Sequence, residues 1–379
     1  MDLNNKIGLE IEFLTLDKSY NEVNAADIVL EVARENNLRF VAECSKCMVE
    51  FNSLPGTIFE VMKDTIFQLT KMNELLSEKN ILLMPIEYPL NEYFVPQIRS
   101  DLRYDAKLQL LGFDKFKVSG HTVATHIHFS LEDNDYDKVK QINVLQFLDA
   151  LSLAITSSSP RIIKGDYIHN LRVTNYRYFV HGDYPFQGDA HGLISDYEGY
   201  NALLLDEFNK FKQKTLSKGI DFGQSINPIN AIWGPIRLNK TYNTVEIRSP
   251  GANPSLSMVF SLCTLFIGLL RKVKYDEEFY LELKDKFGGV NLSELAKSAA
   301  KKGFEDKKIR ELYGFLLENA SNYLTESEFL LFSNLKTLVE SDQVRKIIMG
   351  PGDSKYKYCL LHNIYLKELG ELKYESIKI

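Results

Sequence analysis

The chain reads as one mixed α+β domain that ends in a helical portion, and three observations predict it. Short runs alternating charged with apolar residues recur before position 248. Longer amphipathic runs of helical period separate them, and beyond position 257 helical patterns dominate. A length of 379 residues suits one large domain or two ordinary ones, and no internal repeat, low-complexity tract or linker divides it. The expected organisation is a catalytic core over 1–275 and a helical portion of the same domain over 276–379.

The elements follow in order. A strand surrounds Glu10, and a helix over 25–36 takes its apolar positions from Ile28, Leu30, Val32 and Ala33. Residues 40–53 read as strand up to the breaker Leu54-Pro55-Gly56. A long amphipathic helix over 58–79 and a strand over 81–85 come next. Residues 92–113 are an insertion rich in charge and tyrosine, with Arg99, Arg103 and Tyr104. A strand over 123–131 leads to a helix over 139–157, stopped at Ser157-Ser158-Ser159-Pro160. Residues 165–192 lack apolar periodicity and read as a polar loop of the functional kind. Two strands over 233–247 turn at Asn239-Lys240. Residues 258–274 are a helix, whose apolar run 258–270 is too short and interrupted to span a bilayer and reads as buried. Amphipathic helix then fills most of 277–346, before the turn Gly350-Pro351-Gly352-Asp353 and a short charged tail.

Composition narrows the function. Hydrophobic residues at 45% and charged ones at 25% are ordinary for a soluble globular protein. A net charge of −6 offers no basic excess for nucleic acid. The first residues show no basic and apolar leader, so the expectation is a cytoplasmic protein with no membrane partner. Four cysteines do not make a disulfide scaffold. Cys44 and Cys47 form a C-x-x-C, but no second pair completes a zinc site, and packing or chance spacing is the simpler reading.

The chemistry lies in residues spaced two apart. Residues i and i+2 of a strand share a face, so Glu10 and Glu12 point the same way, as do His126 and His128, and Glu246 and Arg248. Glu43 and Glu50 are seven positions apart, so a bulge or a change of strand near Ser45-Lys46 is needed to bring both to one groove. Ionisable groups on a face that should be core are costly unless paired or bound to metal. Five carboxylates, two imidazoles and a guanidinium in one groove suit hard divalent cations holding a polyphosphate. Arg237 adds a second guanidinium. No P-loop, dinucleotide fingerprint, nucleophile elbow or H-E-x-x-H motif is present.

Together these residues resemble the glutamate–cysteine ligase type 2 family of carboxylate–amine ligases, which share the glutamine synthetase fold. The matching pieces run in family order: Gly8-Leu9-Glu10-Ile11-Glu12, Glu43 through Glu50-Phe51-Asn52-Ser53, Arg103-Tyr104 and Thr125-His126-Ile127-His128. Ser158-Ser159-Pro160, Gly165-Asp166 and Arg172 follow, and then Thr244-Val245-Glu246-Ile247-Arg248 with Ala252-Asn253-Pro254. The resemblance implies a curved, mostly antiparallel sheet with helices on its convex face. It implies Glu12, Glu43 and Glu50 as ligands of one Mg²⁺ or Mn²⁺, and Glu10, His126 and Glu246 as ligands of a second beside ATP. Arg248 and Arg237, with Glu246, would act on the transferred phosphoryl group, and Arg172, Arg177, Asn52 and His128 would contact substrates. The implied reaction joins an acid, by default glutamate, to an amine such as cysteine through an acyl phosphate. The partners are then small molecules, and a homodimer is expected by analogy.

Two departures bear on substrate choice. The family usually carries an acidic residue shortly after Glu-x-Arg, where this chain has Gly251, and the histidine- and aspartate-rich stretch 181–191 has no counterpart. Two other readings stay open: a phosphotransferase on the related guanidino kinase fold, and a non-catalytic regulator that keeps the pocket. Retention of all six presumed metal ligands weighs against the regulator, since an unpaired buried carboxylate is destabilising.

Overall fold

Alternation along five strands divides one sheet into an apolar and a charged face. The computed structural model describes residues 6–91, 93–184, 187–221 and 232–376; the first residues read above for a leader, and Glu92 of the insertion, lie outside them. The strands are β1 (Ile7–Asp17), β2 (Phe40–Ala42), β3 (Met48–Asn52), β4 (Ile81–Met84) and β5 (Thr125–Ser130). A small hairpin of β6 (Arg161–Ile163) and β7 (Asp166–Ile168) stands apart, and β8 (Ile236–Asn239) and β9 (Thr244–Ile247) complete the main sheet. The order β2-β3-β1-β5-β9-β8 is antiparallel throughout, and β4 pairs antiparallel with the far half of β1.

Ile7, Leu9, Ile11 and Phe13 of β1, Val49 and Phe51 of β3, and Ile127 and Phe129 of β5 all point into one core. Ile236 and Leu238 of β8 and Val245 and Ile247 of β9 join them. Each such side chain contributes about 1.5–3 kcal/mol when fully buried. A slip of one residue would drive Glu10, Glu12, Glu50 and Glu246 into that core, so the register is strongly held. The same pattern that builds the core therefore fixes where the carboxylates stand.

Helices surround the sheet, most of them on its apolar face. They are α1 (Ala26–Glu35), α2 (Ile58–Ser77), α3 (Leu102–Leu111), α4 (Phe113–Ser119), α5 (Asp135–Thr156), α6 (Leu171–Val173), α7 (Tyr197–Leu216) and α8 (Leu256–Tyr275). Thr57 and Glu60 form a capping box that starts α2, and Asn134 and Ser255 cap α5 and α8. Then come α9 (Glu277–Phe287), α10 (Leu292–Lys302), α11 (Lys307–Ala320), α12 (Glu326–Ser341), α13 (Gln343–Met349) and α14 (Ser354–Ser376). Phe279, Leu283, Leu312, Leu335 and Tyr365 from this region share the core of the sheet.

Five readings change. The strand expected over 40–53 is two strands, β2 and β3, with Glu43 in the turn between them. The insertion holds a regular helix, α3, capped by Asp101. The polar loop over 165–192 holds regular structure: Asn170 caps α6, which continues as a π-helical turn, Thr174–Val180. The apolar run of 258–270 extends into the 20-residue α8, long and apolar enough to cross a membrane but almost wholly buried inside the protein. The short charged tail is the 23-residue helix α14. Its charges mask Tyr358, Leu361, Tyr365, Leu369 and Leu372, buried at helical spacing.

The Tyr358 hydroxyl donates to Glu22 (2.6 Å) and accepts from the backbone of Leu90 (2.8 Å), tying α14 to the edge of the sheet. Tyr358→Phe leaves a buried carboxylate and an N–H short of a partner. It should cost about 1–3 kcal/mol in urea unfolding; an unchanged midpoint would mean that water replaces the hydroxyl.

Candidate active site

Cross-strand register aligns the charged residues in one diagonal band. Glu12 faces Glu50 across β1 and β3, and Glu10 faces His126 across β1 and β5. His128 faces Glu246 across β5 and β9, and Glu246 faces Arg237 across β9 and β8. Glu43 enters from the β2–β3 turn, a change of strand that puts it beside Glu12 and Glu50 despite the seven-residue spacing.

Among the described residues, three groups have ligand atoms all within 4.8 Å of one another: Glu12, Glu43 and Glu50; Glu10, Glu50 and His126; and Glu10, His128 and Glu246. The trio expected for one cation, Glu12 with Glu43 and Glu50, is thus brought together. For the other, Glu10 is common to two groups, and His128, expected at a substrate, stands among the ligand atoms. His126 Nδ1 is 2.9 Å from Glu10 and 3.7 Å from Glu246.

Electrostatics separate the carboxylates into two kinds. Burial pushes Glu12 and Glu50 well above the usual carboxylate range, with Glu43 adding to the rise in both. Glu43 is raised as well, by burial first and against the pull of Arg103 and Arg248. A divalent cation is what such a trio lacks, and its all-oxygen donors suit Mg²⁺ or Mn²⁺. Burial alone would raise Glu10, but the imidazoles of His126 and His128 outweigh it and hold the group far below its ordinary value. Burial likewise opposes ionisation of Glu246, and Arg248 and Arg237 reverse it. His126 is held down by burial and by Arg248, which leaves a neutral imidazole able to ligate. Glu246 Oε1 and His128 Nε2 are buried with ion-pair neighbours, Arg248 at 3.2 Å and Glu10 at 3.1 Å, but make no well-angled hydrogen bond among the described residues.

Glu246 carries two guanidiniums. Arg237 donates from Nε at 2.7 Å to Oε2, and Arg248 Nε stands 3.2 Å from Oε1. Arg248 also lies over the ring of Trp233, 5.5 Å from its centroid, and Arg177 lies 5.4 Å from the same centroid. Two positive charges on one carboxylate leave a surplus that faces the band.

The band runs between two hollows. One, of about 130 Å³, is lined by Glu12, Glu43, His126, Arg172, Arg248 and Trp233. The other, of about 390 Å³, is lined by Glu10, Gly8, Asn52, His128, Tyr242 and Thr244. Arg172 reaches the first hollow; Arg177 does not line it, because its fork is spent on Asp149 at 2.9 and 2.7 Å. Asn52 lines the second.

Several residues of the site were missed. Lys107 of α3 lines the first hollow, and burial beside Arg103 and Arg248 brings its amine down to about 7. Tyr176 and Trp233 form its aromatic wall, with ring centroids 5.0 Å apart. Glu87 and Asp149 are buried acids that hold Arg172 and Arg177. A signal existed for both: each is a lone carboxylate in an apolar setting, Ile86-Glu87 and Leu148-Asp149-Ala150. The unmatched stretch 181–191 is partly structural. His181 packs edge-on to Tyr176, His191 sits 3.3 Å from Glu207, and Asp189 accepts from Ser293; residues 185 and 186 lie outside the described residues.

The family model of glutamate-cysteine ligase family 2 matches residues 6–315. Among solved structures, a glutamate–cysteine ligase from Francisella tularensis in complex with AMP is similar, with TM-score 0.60 and 14% identity. That alignment covers 99% of this chain and 93% of the other. A bifunctional glutathione synthetase from Pasteurella multocida aligns with TM-score 0.62 and 14% identity over 98% of this chain, which spans 52% of that longer protein. No curated protein sequence matches the chain.

Proposed function

The chain belongs to glutamate-cysteine ligase family 2 and is a ligase of that type, and from that premise we propose an ATP- and Mg²⁺-dependent (or Mn²⁺-dependent) carboxylate–amine ligase with glutamate as its acid. The observation that carries the reading is one band of carboxylates and imidazoles lying between two hollows. It supports a nucleotide on the side of Glu10, Asn52 and His128, and an acid on the side of Glu12 and Arg172. Glu12, Glu43 and Glu50 would hold one cation, and Glu10 with Glu246 and the two histidines a second. When bound, the cations supply charge neutralisation for the phosphoryl groups. The glutamine synthetase-like curvature of the sheet, its role as a catalytic core over 1–275, and a cytoplasmic setting belong to the same proposal.

The chain's own groups then do positioning and electrostatics. Arg248 and Arg237, balanced on Glu246, face the phosphoryl group in flight, and Arg172 orients the acid. A γ-carboxylate oxygen attacks the terminal phosphorus of ATP, ADP leaves, and an acyl phosphate forms. The amine nitrogen attacks the acyl carbon, the C–O bond to phosphate breaks, and the nitrogen gives up a proton. The small first hollow, walled by Trp233 and Tyr176, favours a compact acceptor such as cysteine.

Phosphate release from ATP with Mg²⁺, L-glutamate and a panel of amines tests the reading. Release that requires both glutamate and one amine, with the amide detected by mass, is the expected result. Release of a stable phosphorylated product without amide would replace the ligase by a phosphotransferase.

A further inference from the structure

Glu87 is wholly buried and belongs to none of the cation groups found among the described residues, yet its carboxylate is fully used. Oε2 accepts from the backbone of Ser158 at 2.9 Å and from the Ser159 hydroxyl at 2.7 Å. Oε1 accepts from Asn170 at 2.9 Å and lies 3.3 Å from Nε of Arg172, whose other end donates to the Ser249 carbonyl. Arg172 also feels Glu12, a proposed cation ligand. An arginine not held elsewhere would be drawn onto that carboxylate and would compete with the cation.

The second observation concerns position 251. A Cβ added to Gly251 would lie 1.9 Å from Glu87 Oε1 and 2.2 Å from its Cδ. The backbone of Gly251 is not in the left-handed region, so a side chain is excluded there by Glu87 and not by conformation. A carboxylate carried by a side chain at position 251 would thus occupy the place that Glu87 fills from another segment.

We propose that Glu87 is the positioning residue for Arg172, and that its carboxylate stands in for an acidic side chain at position 251. It keeps Arg172 aimed at the carboxylate of an amino-acid substrate and off Glu12; this part rests on the ligase reading above.

A swap tests it. Glu87→Ala should raise the KM for L-glutamate by about 100-fold with a smaller change in kcat, and should weaken Mn²⁺ binding measured by calorimetry. Gly251→Asp alone should fail to fold or melt early. Glu87→Ala with Gly251→Asp should recover at least tenfold of the lost glutamate KM, and Glu87→Gln should fall between. In ¹⁵N-arginine spectra, the Nε–H signal of Arg172, identified by its loss in Arg172→Lys, should shift in Glu87→Gln and return in the swap. A double variant no better than Glu87→Ala, or an unmoved Arg172 signal in Glu87→Gln, would overturn the proposal. A wild-type protein that ignores every acid would sink the ligase reading instead, and the Arg172 signal and the swap would still judge Glu87.

Discussion

Glu246→Ala is expected to reduce kcat by about 10³-fold and to destabilise the fold by about 3–5 kcal/mol. Glu246 is fully buried and is the shared counter-charge of Arg237 and Arg248. Without it two guanidiniums face each other inside the site, and Glu10 with His128 loses its third member. Glu246→Gln separates the two effects: the amide keeps shape and some hydrogen bonding, so most stability should return while turnover stays low. Steady-state phosphate release and urea unfolding provide both readings. A glutamine variant with more than a tenth of the wild-type kcat would remove Glu246 from the phosphoryl-transfer machinery.

Mg²⁺ or Mn²⁺ is expected to stabilise the folded protein by about 2.7 kcal/mol at a concentration a hundred times its dissociation constant. The cause lies in Glu12, Glu43 and Glu50, whose folded-state carboxyls titrate above their ordinary value of 4.5 through burial and mutual repulsion. The folded state then binds more protons than the unfolded one above about pH 4.5. Without cation, stability should fall as pH rises from there through the raised folded values. A cation reverses the sign of this term, because it binds the ionised trio. Glu50→Gln should raise the melting temperature of the metal-free protein at pH 8 and abolish much of the cation-induced shift. A variant that melts lower without metal and still responds fully to it would place the cation elsewhere.

The strands and the charged band were legible because period-two alternation carries face information directly. Glu10-x-Glu12, His126-x-His128 and Glu246-x-Arg248 could be assigned to one side without any knowledge of partners. Glu43 was harder, since a turn resets the alternation, and only the β2–β3 pairing returns it to the groove. Buried acids such as Glu87 and Asp149 carry no periodic mark, only their apolar neighbours; what fixes them is a tertiary partner 85 positions away for Glu87 and 28 for Asp149. The same holds for Arg177, expected at a substrate, whose fork lies on Asp149. Helix α14 was hidden for the opposite reason: its buried stripe uses tyrosine alongside leucine, and polar, charged and further apolar residues interleave with it.

The tie between Tyr358 and Glu22 joins residues 336 positions apart. Glu368 likewise caps the start of α8 through Ser255 and the backbone of Ser257, and Tyr365 meets Asn73 of α2. A ribosome adding about 5–20 residues per second needs roughly 17–67 s between making the two ends of that first contact. During this interval the apolar face of β1 and α2 must wait for its last covering layer. That face should therefore stay open to holding chaperones until α14 emerges, and truncations that remove α14 should aggregate.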